Sequence, residues 1–446
     1  MKKLLILLFS IIIASPLYSY SYEDLVSSME MNNEEVLKSI KSHEVASLDV
    51  LDAKAGYQPE ISTQLIASHL FNPMDPISIN TSDYSPAVPS QVIEVFPGQE
   101  NSYYKASITM TQPLFTWLKI TDAVDIYENL EQIAAINMND VERKLVSELN
   151  TRLTMDLYLT KILNKFEEQI KISDELVQIS KQSKEVGVLT DLDIMKIELD
   201  ISKLKLEKTK ILSDKEFNMA NIRKMVGIDD LTSDNLEYNI DYELYETLST
   251  QDRQELKDRA ISGTQDSIRM LNLSNNVLQE QKSIAQNSMY WKPDFALVVN
   301  LDYAGSRIPF VETDWYGQDD YSGNVTVAVK TTLWDGGKKI NNLKRADSEL
   351  ESNVLERQSA VDTILITLDE QFASIDKALA NSEYLQLKKA YYIEKIALEN
   401  EKLAIGASDK TTILQLELES SINDLALLQE EIALVSAYYL IDYLCN

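Results

Sequence analysis

The sequence predicts a mainly helical α+β fold in which one arrangement of helices and strands occurs twice. Three observations support this. Glycine and proline are confined to a few positions, which leaves long stretches free of both residues. These stretches recur at a constant spacing, and short segments of alternating apolar and polar residues lie between them. Because proline breaks helix interiors and alternation is typical of strands, we expect two long-helix repeats, each with a β-hairpin.

The first residues resemble a secretory signal rather than part of the fold. Lys2 and Lys3 precede an apolar run over residues 4–14, and small residues near Ser21 resemble a cleavage site. The apolar run is too short to form a stable transmembrane helix. We therefore expect residues 1–21 to be a signal peptide and the remaining chain to be exported.

The two repeats and the segment between them divide the remaining chain. The first repeat is expected over residues 22–226 and the second over residues 261–446, each reading helix, β-hairpin, long helix, short helix. Residues 227–260 are acidic and break the long-helix pattern, so we expect an equatorial linker region there.

A constant offset relates the two repeats. Phe115 recurs as Trp334 and Gly187 as Gly406, in both cases 219 positions later. The first hairpin is longer than the second, and its extra residues fit a proline-rich loop over residues 72–98. Internal duplication explains this agreement.

The long helices are predicted from what they lack and from their apolar stripe. Glycine and proline are absent over residues 118–186 and 338–405. At about 1.5 Å per residue, a helix of this length would extend roughly 100 Å. The apolar residues in these stretches repeat with heptad-like spacing, which is typical of helices packed as a coiled coil. They are Val361, Leu365, Leu368, Phe372, Ile375 and Leu379 in the second repeat, and Leu159, Leu163, Phe166, Ile170 and Val177, with Ser173 at the missing step, in the first.

Two β-hairpins are expected, over residues 60–115 and 294–334. Val325, Val327 and Val329 alternate with polar or small residues, which gives the period of two that strands show. Strands of about ten residues with one apolar face are typical of membrane β-barrels. Four strands from one chain are too few to close such a barrel, whereas several copies could close it. A soluble β-sandwich capped by helices is the alternative.

Composition restricts the possible functions. Asp and Glu number 71 against 42 Lys and Arg, a formal net charge of −29, which argues against a nucleic-acid partner. Cys445 is the single cysteine, so an internal disulfide or a cysteine zinc cluster is excluded. The sequence shows no nucleophile–base set, no phosphate-binding loop and no metal-ligand spacing. We therefore expect neither an enzyme nor a bound cofactor or metal.

Taken together, four sets of residues resemble the TolC-type outer membrane efflux family. The resemblance extends over almost the whole chain after the signal, and the order and shared offset of the motifs make it specific. The motifs are the duplicated segments 112–115 and 332–337, the segments 55–59 and 290–293 that precede the hairpins, the helix-tip segment 187–194, and a weaker copy of that tip at Gly406.

The resemblance implies a homotrimer. Its twelve strands would form one shared β-barrel in the outer membrane of a Gram-negative-type bacterium, above a coiled-coil tunnel that crosses the periplasm. A periplasmic adaptor protein and an inner-membrane pump would be the partners, together with outer membrane lipid. The chain would be a passive conduit for efflux or type I secretion. The alternative from another class is a periplasmic structural coiled-coil protein without a pore.

Two sets of site residues follow at the helix tips. Gly187 and Gly406 are expected at turns, since a positive φ favours glycine. The surrounding residues would also contact the adaptor: Val186, Gly187, Val188, Leu189, Ile405, Gly406 and Ala407. In a trimer each carboxylate becomes a ring of three, and such rings select cations. The candidate pore carboxylates are Asp191, Asp193 and Asp409, for which a solvated helix face is the alternative.

Overall fold

A computed structural model describes residues 19–80, 91–185, 190–240, 248, 251–262, 265–306 and 321–445. The chain divides into two compact units. The first, here called the helical unit, comprises Met1–Glu44, Gln132–Leu273 and Val354–Asn446, and the second, the sheet unit, comprises Val45–Glu131 and Ser274–Asn353. Each unit therefore contains parts of both sequence repeats.

The described elements up to residue 226 are β1 (Tyr20–Ser21), α1 (Tyr22–Asn32), α2 (Glu34–Ala55), β2 (Glu60–His69), β3 (Ile77–Asn80), β4 (Val92–Phe96), β5 (Ser102–Phe115), α3 (Lys119–Glu185) and α4 (Asp191–Val226). Helix, hairpin, long helix and short helix follow the order predicted for the first repeat. Strand β1 lies before that repeat, in residues expected to belong to the signal peptide, and β3 and β4 were not predicted. The linker region contributes a 3-10 turn (Ser233–Asn235) and β6 (Leu236–Glu237), followed by α5 (Arg253–Ala260). None of the described helices contains an apolar stretch of the length that crossing a membrane would require.

The second repeat matches the first in helix length. Its elements are α6 (Asp266–Asn287), β7 (Asp294–Gly305), β8 (Tyr321–Lys330), α7 (Lys338–Ala404) and α8 (Lys410–Cys445). Helices α3 and α7 each have 67 residues, and α4 and α8 each have 36. The long and the short helices of the two repeats begin and end 219 positions apart. The predicted alternation of long and short helices is confirmed.

The sheet unit contains a four-stranded sheet in the order β2-β5-β7-β8. All three pairings are antiparallel, and Ile108 of β5 lies opposite Thr63 on one side and Leu301 on the other. The register shifts once, between Pro113 and Phe115, where proline has no N–H to donate to the ladder. The two predicted hairpins therefore join edge to edge through β5 and β7.

The described part of the proline-rich segment over residues 72–98 contains strands where a loop is predicted. It contains the two-stranded antiparallel hairpin β3–β4, in which Ile79 pairs with Ile93. The prolines of this segment that lie in described residues fall outside both strands, at positions 73, 76 and 97. The prolines made a loop the expected structure, although they flank the short apolar runs that form the strands and do not interrupt them.

The helices of the helical unit bury apolar stripes, as their heptad-like spacing predicts. In α7 the buried side chains include Leu368, Phe372 and Ile375, as the stripe predicts. The predicted member Leu379 is instead 43% exposed, and Ala378 is buried in its place. The surface that α7 buries is determined by the elements packed against it, so the apolar spacing alone does not identify the covered residue at this turn.

Polar residues lie on the buried side of α3. Ser173 is 3% exposed, which confirms that it occupies a core step of the predicted stripe. Gln169 and Ser180 are 0% and 1% exposed, and their side chains have no hydrogen-bond partner among the described residues. The buried side of α3 is therefore less apolar than the leucine and isoleucine residues of the predicted stripe suggest.

Candidate functional site

The four-stranded sheet has one apolar and one polar face. The register places the apolar side chains on one side: Ile61, Leu65, Ala106, Ile108, Met110, Leu297, Val299, Leu301, Val325 and Val327. The opposite side carries Ser62, Gln64, Ser107, Thr109, Thr111, Asn300, Asp302, Ser322, Asn324 and Thr326. Leu65 is 75% and Val325 71% exposed. An apolar surface of this extent is typical of a face that meets lipid or another protein.

The sheet has two edges. Among the described residues β2 pairs only with β5, and β8 pairs only with β7. The outer edges of β2 and β8 therefore present backbone N–H and C=O groups without a ladder partner, and such edges readily accept another strand. Because neighbouring strands alternate in direction, β8 of one chain would be antiparallel to β2 of the next.

The turn from each hairpin into its long helix requires two consecutive residues with positive φ. In the second repeat these are Gly336 and Gly337, with φ of 72° and 87°. In the first repeat, 219 positions earlier, they are Trp117 and Leu118, with φ of 55° and 66°. Side chains other than glycine rarely adopt this conformation, so the first turn is strained where the second is not.

Contacts of the Trp117 side chain hold the strained turn. Its indole Nε1 donates to the carbonyl oxygen of Pro293 at 2.8 Å. Its ring centroid lies 5.0 Å from that of Phe115 and 6.0 Å from that of Trp291, both in edge-on geometry. Lys119, the first residue of α3, forms an ion pair with Asp294 at 2.5 Å. These contacts join the two hairpins at one end of the sheet.

Asp335 organises the equivalent turn of the second repeat. Its carboxylate accepts from the Tyr290 hydroxyl at 2.5 Å and from the backbone N–H groups of Gly337 and Lys339 at 3.0 and 3.1 Å. The hydrogen bond from Tyr290, followed by those from backbone N–H groups, lowers the pKa of Asp335 below its ordinary value. The carboxylate therefore stays ionised and caps the start of α7.

The second helix tip has the predicted glycine turn. Gly406 has φ of 75°, its N–H donates to the Leu403 carbonyl at 3.0 Å, and the Ala407 N–H donates to the Lys402 carbonyl at 2.8 Å. This pair of bonds is the Schellman motif that ends helices at a left-handed residue. Ile405 is 80% exposed beside it. The turn predicted at Gly406 is confirmed.

The first helix tip lies mostly outside the described residues. Val186, Gly187, Val188 and Leu189 are not among them. The described residues resume at Thr190, the N-cap of α4, whose hydroxyl accepts from the Asp193 N–H at 3.3 Å. The Asp193 carboxylate in turn accepts from the Thr190 N–H at 2.9 Å, which completes a capping box.

All three candidate pore carboxylates take part in local contacts at helix ends. Asp193 belongs to the capping box, and hydrogen bonds from the Thr190 side chain and backbone lower its pKa. Asp191 forms an ion pair with Lys184. Asp409 accepts from the Thr412 N–H at 2.8 Å at the start of α8. Within the described residues, no group of carboxylate, histidine and cysteine side chains is arranged to hold a metal ion.

Sequence reasoning missed the strained turn. Gly336 and Gly337 are residues that tolerate positive φ, whereas Trp117 and Leu118 carry no local signal for such a turn. The 219-residue offset was the available signal, since it maps these glycines onto Trp117 and Leu118. Two bulky apolar residues at positions that demand positive φ indicate that other contacts stabilise the turn.

Comparison with known proteins shows the fold at low sequence identity. No family model and no curated protein matches the sequence. Solved structures do match: the outer-membrane channel OprN has 15% identity and a TM-score of 0.75, over 95% of this chain and 89% of that one. The outer membrane protein VceC from Vibrio cholerae has 13% identity and a TM-score of 0.73, over 95% of this chain and 96% of that one. The MtrE outer membrane channel of Neisseria gonorrhoeae has 11% identity and a TM-score of 0.71, over 96% of this chain and 90% of that one. The chain therefore has the fold of the TolC-type outer membrane channels.

Proposed function

We propose that this chain is the outer membrane channel subunit of a tripartite efflux or type I secretion system, a passive trimeric conduit across the outer membrane and periplasm. The observation that carries the proposal is the sheet with one apolar and one polar face, whose two edges have no partner strand among the described residues. A closed barrel in lipid needs an apolar outside, strands of about ten residues and no open edge. Strand β2 and strand β8 each have 10 residues.

A homotrimer would use both edges of the sheet. Each chain supplies four strands, so three chains supply twelve, an even number that lets antiparallel pairing close on itself. The edge of β8 in one chain would pair with the edge of β2 in the next. The solved channels that share this fold support the proposal because their names describe outer membrane channels.

Cysteine crosslinking between the sheet edges tests the trimer. In a Cys445→Ser background, Gln64→Cys on β2 is combined with Asn324→Cys or Thr326→Cys on β8, all on the polar face. We expect at least one pair to yield covalent dimers and trimers after oxidation of membranes, because paired strands bring Cα atoms within disulfide range. Each single-cysteine variant is the matched control. Absence of covalent trimers from every pair would contradict the proposal.

The helix tips are proposed to dock the periplasmic adaptor, which in turn connects to the inner-membrane pump. Support comes from the second tip, where Ile405 is 80% exposed and nothing lies within 4 Å of a Cβ built on Gly406. An adaptor could therefore approach the turn closely. We propose the same role for Val186, Gly187, Val188, Leu189 and Ala407.

Substitution at the second tip tests adaptor docking. Ile405→Asp should abolish adaptor crosslinking and export while leaving trimers and their conductance intact, because an exposed side chain contributes little to folding. The matched control is Leu199→Asp, an exposed leucine on α4. Retention of adaptor crosslinking in Ile405→Asp would count against docking at this tip.

The three tip carboxylates are proposed to form acidic rings in the pore. Single-channel recordings on Asp191→Asn and Asp409→Asn should show reduced selectivity for cations, because each substitution removes three negative charges from the trimer. Unchanged selectivity would leave these residues with their observed roles at the helix ends.

The alternative, a periplasmic coiled-coil protein without a pore, leaves the exposed apolar face of the sheet unexplained. Fractionation distinguishes the two. A channel subunit should sediment with the outer membrane and migrate as a heat-modifiable oligomer, whereas a periplasmic rod should remain in the soluble periplasmic fraction.

A further inference from the structure

We propose that a collar at one end of the sheet binds the headgroup of an anionic phospholipid. The collar consists of Phe115, Trp117, Trp291, Lys292 and Phe295. This inference rests on the proposed function, because it requires the apolar face of the sheet to lie in a bilayer. It goes further by naming the lipid class and the cation that recognises it.

The collar extends the apolar face of the sheet. Phe295 lies two residues along β7 from Leu297, a member of that face, and Phe115 is its partner in the register. The rings of Phe115 and Phe295 are 6.4 Å apart. Trp117 and Trp291 follow beyond the strand ends, and Trp291 is 70% exposed. Exposed tryptophans at the end of an apolar strand face are typical of the depth at which lipid headgroups begin.

Lys292 places a cation within this aromatic surface. Its Nζ lies 5.5 Å from the ring centroid of Trp117 and 5.1 Å from that of Trp291. Nζ also donates to the Asn287 side-chain oxygen at 2.6 Å. A lysine ammonium has three donors, so this bond leaves donors for a phosphate oxygen. Among the described residues Lys292 has no ion pair with a carboxylate.

Nearby carboxylates are already engaged. Asp294 pairs with Lys119, and Asp335 accepts from Tyr290 and from backbone N–H groups. This leaves the Lys292 ammonium available to a negative group from outside the chain.

The local charge has the opposite sign to that of the chain. Residues 115–122, 290–294 and 330–339 together contain five lysines and three aspartates, whereas the whole chain carries a formal net charge of −29. The lysines are Lys119, Lys292, Lys330, Lys338 and Lys339. A positive region on an acidic protein, at the end of a lipid-facing surface, is complementary to an anionic headgroup. Lysines near a membrane surface attract anionic lipids in this way.

The position of Lys292 fits the depth of a phosphate. Lys292 stands two residues before β7, a strand of 12 residues, which is slightly longer than the 9–11 residues needed to span the hydrocarbon core. The ammonium therefore lies just outside the hydrocarbon when the strand spans it. The tryptophan rings on either side would contact the glycerol and upper acyl region of the same lipid.

Native mass spectrometry of the full-length purified protein tests the proposal. The protein is titrated with phosphatidylglycerol or with phosphatidylcholine of the same acyl chains, and bound lipids are counted. We expect wild type to bind phosphatidylglycerol at least threefold more strongly. Lys292→Gln should abolish this preference, and Lys292→Arg should retain it. The matched control is Lys105→Gln, on β5 near the opposite end of the sheet, which should behave as wild type.

Each outcome has a defined meaning. Equal binding of both lipids by wild type, or an unchanged preference in Lys292→Gln, would overturn the headgroup proposal. If the channel conductance of the same samples is intact, the proposed function survives that result. If wild type shows neither lipid binding nor conductance, the proposed function fails and the headgroup proposal fails with it.

Discussion

At the scale of single residues, the two turns between sheet and long helix show how one backbone shape is produced by different side chains. A left-handed conformation costs a residue other than glycine about 1–2 kcal/mol. Gly336 and Gly337 avoid that cost, whereas Trp117 and Leu118 incur it. The hydrogen bond and ring contacts of Trp117 offset the cost in the first repeat. The two equivalent turns thus reach one backbone shape by different means, the second through glycine and the first through side-chain contacts.

Gly337→Ala should lower the stability of the protein by about 1 kcal/mol, because alanine disfavours positive φ. No atom lies within 4 Å of a Cβ at this position, so steric clash does not contribute. Thermal unfolding of the purified protein measures the effect. Gly337→Asn is the matched control and should lose less stability than Gly337→Ala, since asparagine tolerates the left-handed region. Equal losses in both variants would contradict a conformational cause.

Asp193 should stabilise the start of α4 in a pH-dependent way. Hydrogen bonds from Thr190 lower its pKa below the ordinary value of 3.8. Because the folded-state pKa is lowered, the contribution is fully present above the unfolded-state value and is lost as the pH falls through the folded-state value. Asp193→Ala should therefore lower the melting temperature at about pH 7, and the difference from wild type should shrink below about pH 4. A difference independent of pH would contradict the capping box.

At the scale of elements, local sequence patterns predicted which segments form strands and which form helices. Alternation over Val325, Val327 and Val329 predicted β8, and the absence of glycine and proline predicted α3 and α7. These signals are local, because strand faces and helix interiors are determined by neighbouring residues. The β3–β4 hairpin was missed because its short apolar runs lie among prolines.

Other features required tertiary information. Leu379 was placed in the α7 core although Ala378 is buried there, because the helix partner determines which side of a stripe is covered. The joining of the two hairpins through β5 and β7 was likewise beyond the sequence, since pairing between distant strands leaves no local pattern. At the tips, glycine spacing predicted the turn at Gly406, whereas the contacts of Asp191 with Lys184 depend on the folded chain.

The two faces of β8 should respond differently to charge. Val325→Lys should prevent stable assembly in the outer membrane, because the proposed barrel turns this residue toward lipid near the middle of the bilayer, where a lysine costs about 2–4 kcal/mol. The neighbouring Thr326→Lys places the same charge on the polar face and should be tolerated. Outer-membrane fractionation and heat-modifiable migration report assembly. Equal behaviour of the two variants would contradict the assignment of the faces.

At the scale of the whole molecule, the sheet of one chain requires further copies of the chain to form the proposed closed barrel. The sheet has an exposed apolar face and two edges that end without a partner strand in the described residues. Both features are liabilities for a lone soluble protein, because they promote aggregation. Both become functional in a closed oligomer within a membrane. The proposal of a trimeric conduit explains them with one arrangement.

Recording from planar lipid bilayers tests whether three copies of the chain form a water-filled channel. Purified full-length protein, added to one side of a bilayer, should insert as trimers and produce discrete, long-lived conductance steps, because a shared barrel encloses water. The Val325→Lys protein, prepared in the same way, should produce none. Steps of one reproducible size from wild type are the predicted result. Wild-type protein that forms trimers yet gives no conductance above a protein-free bilayer would contradict a shared channel.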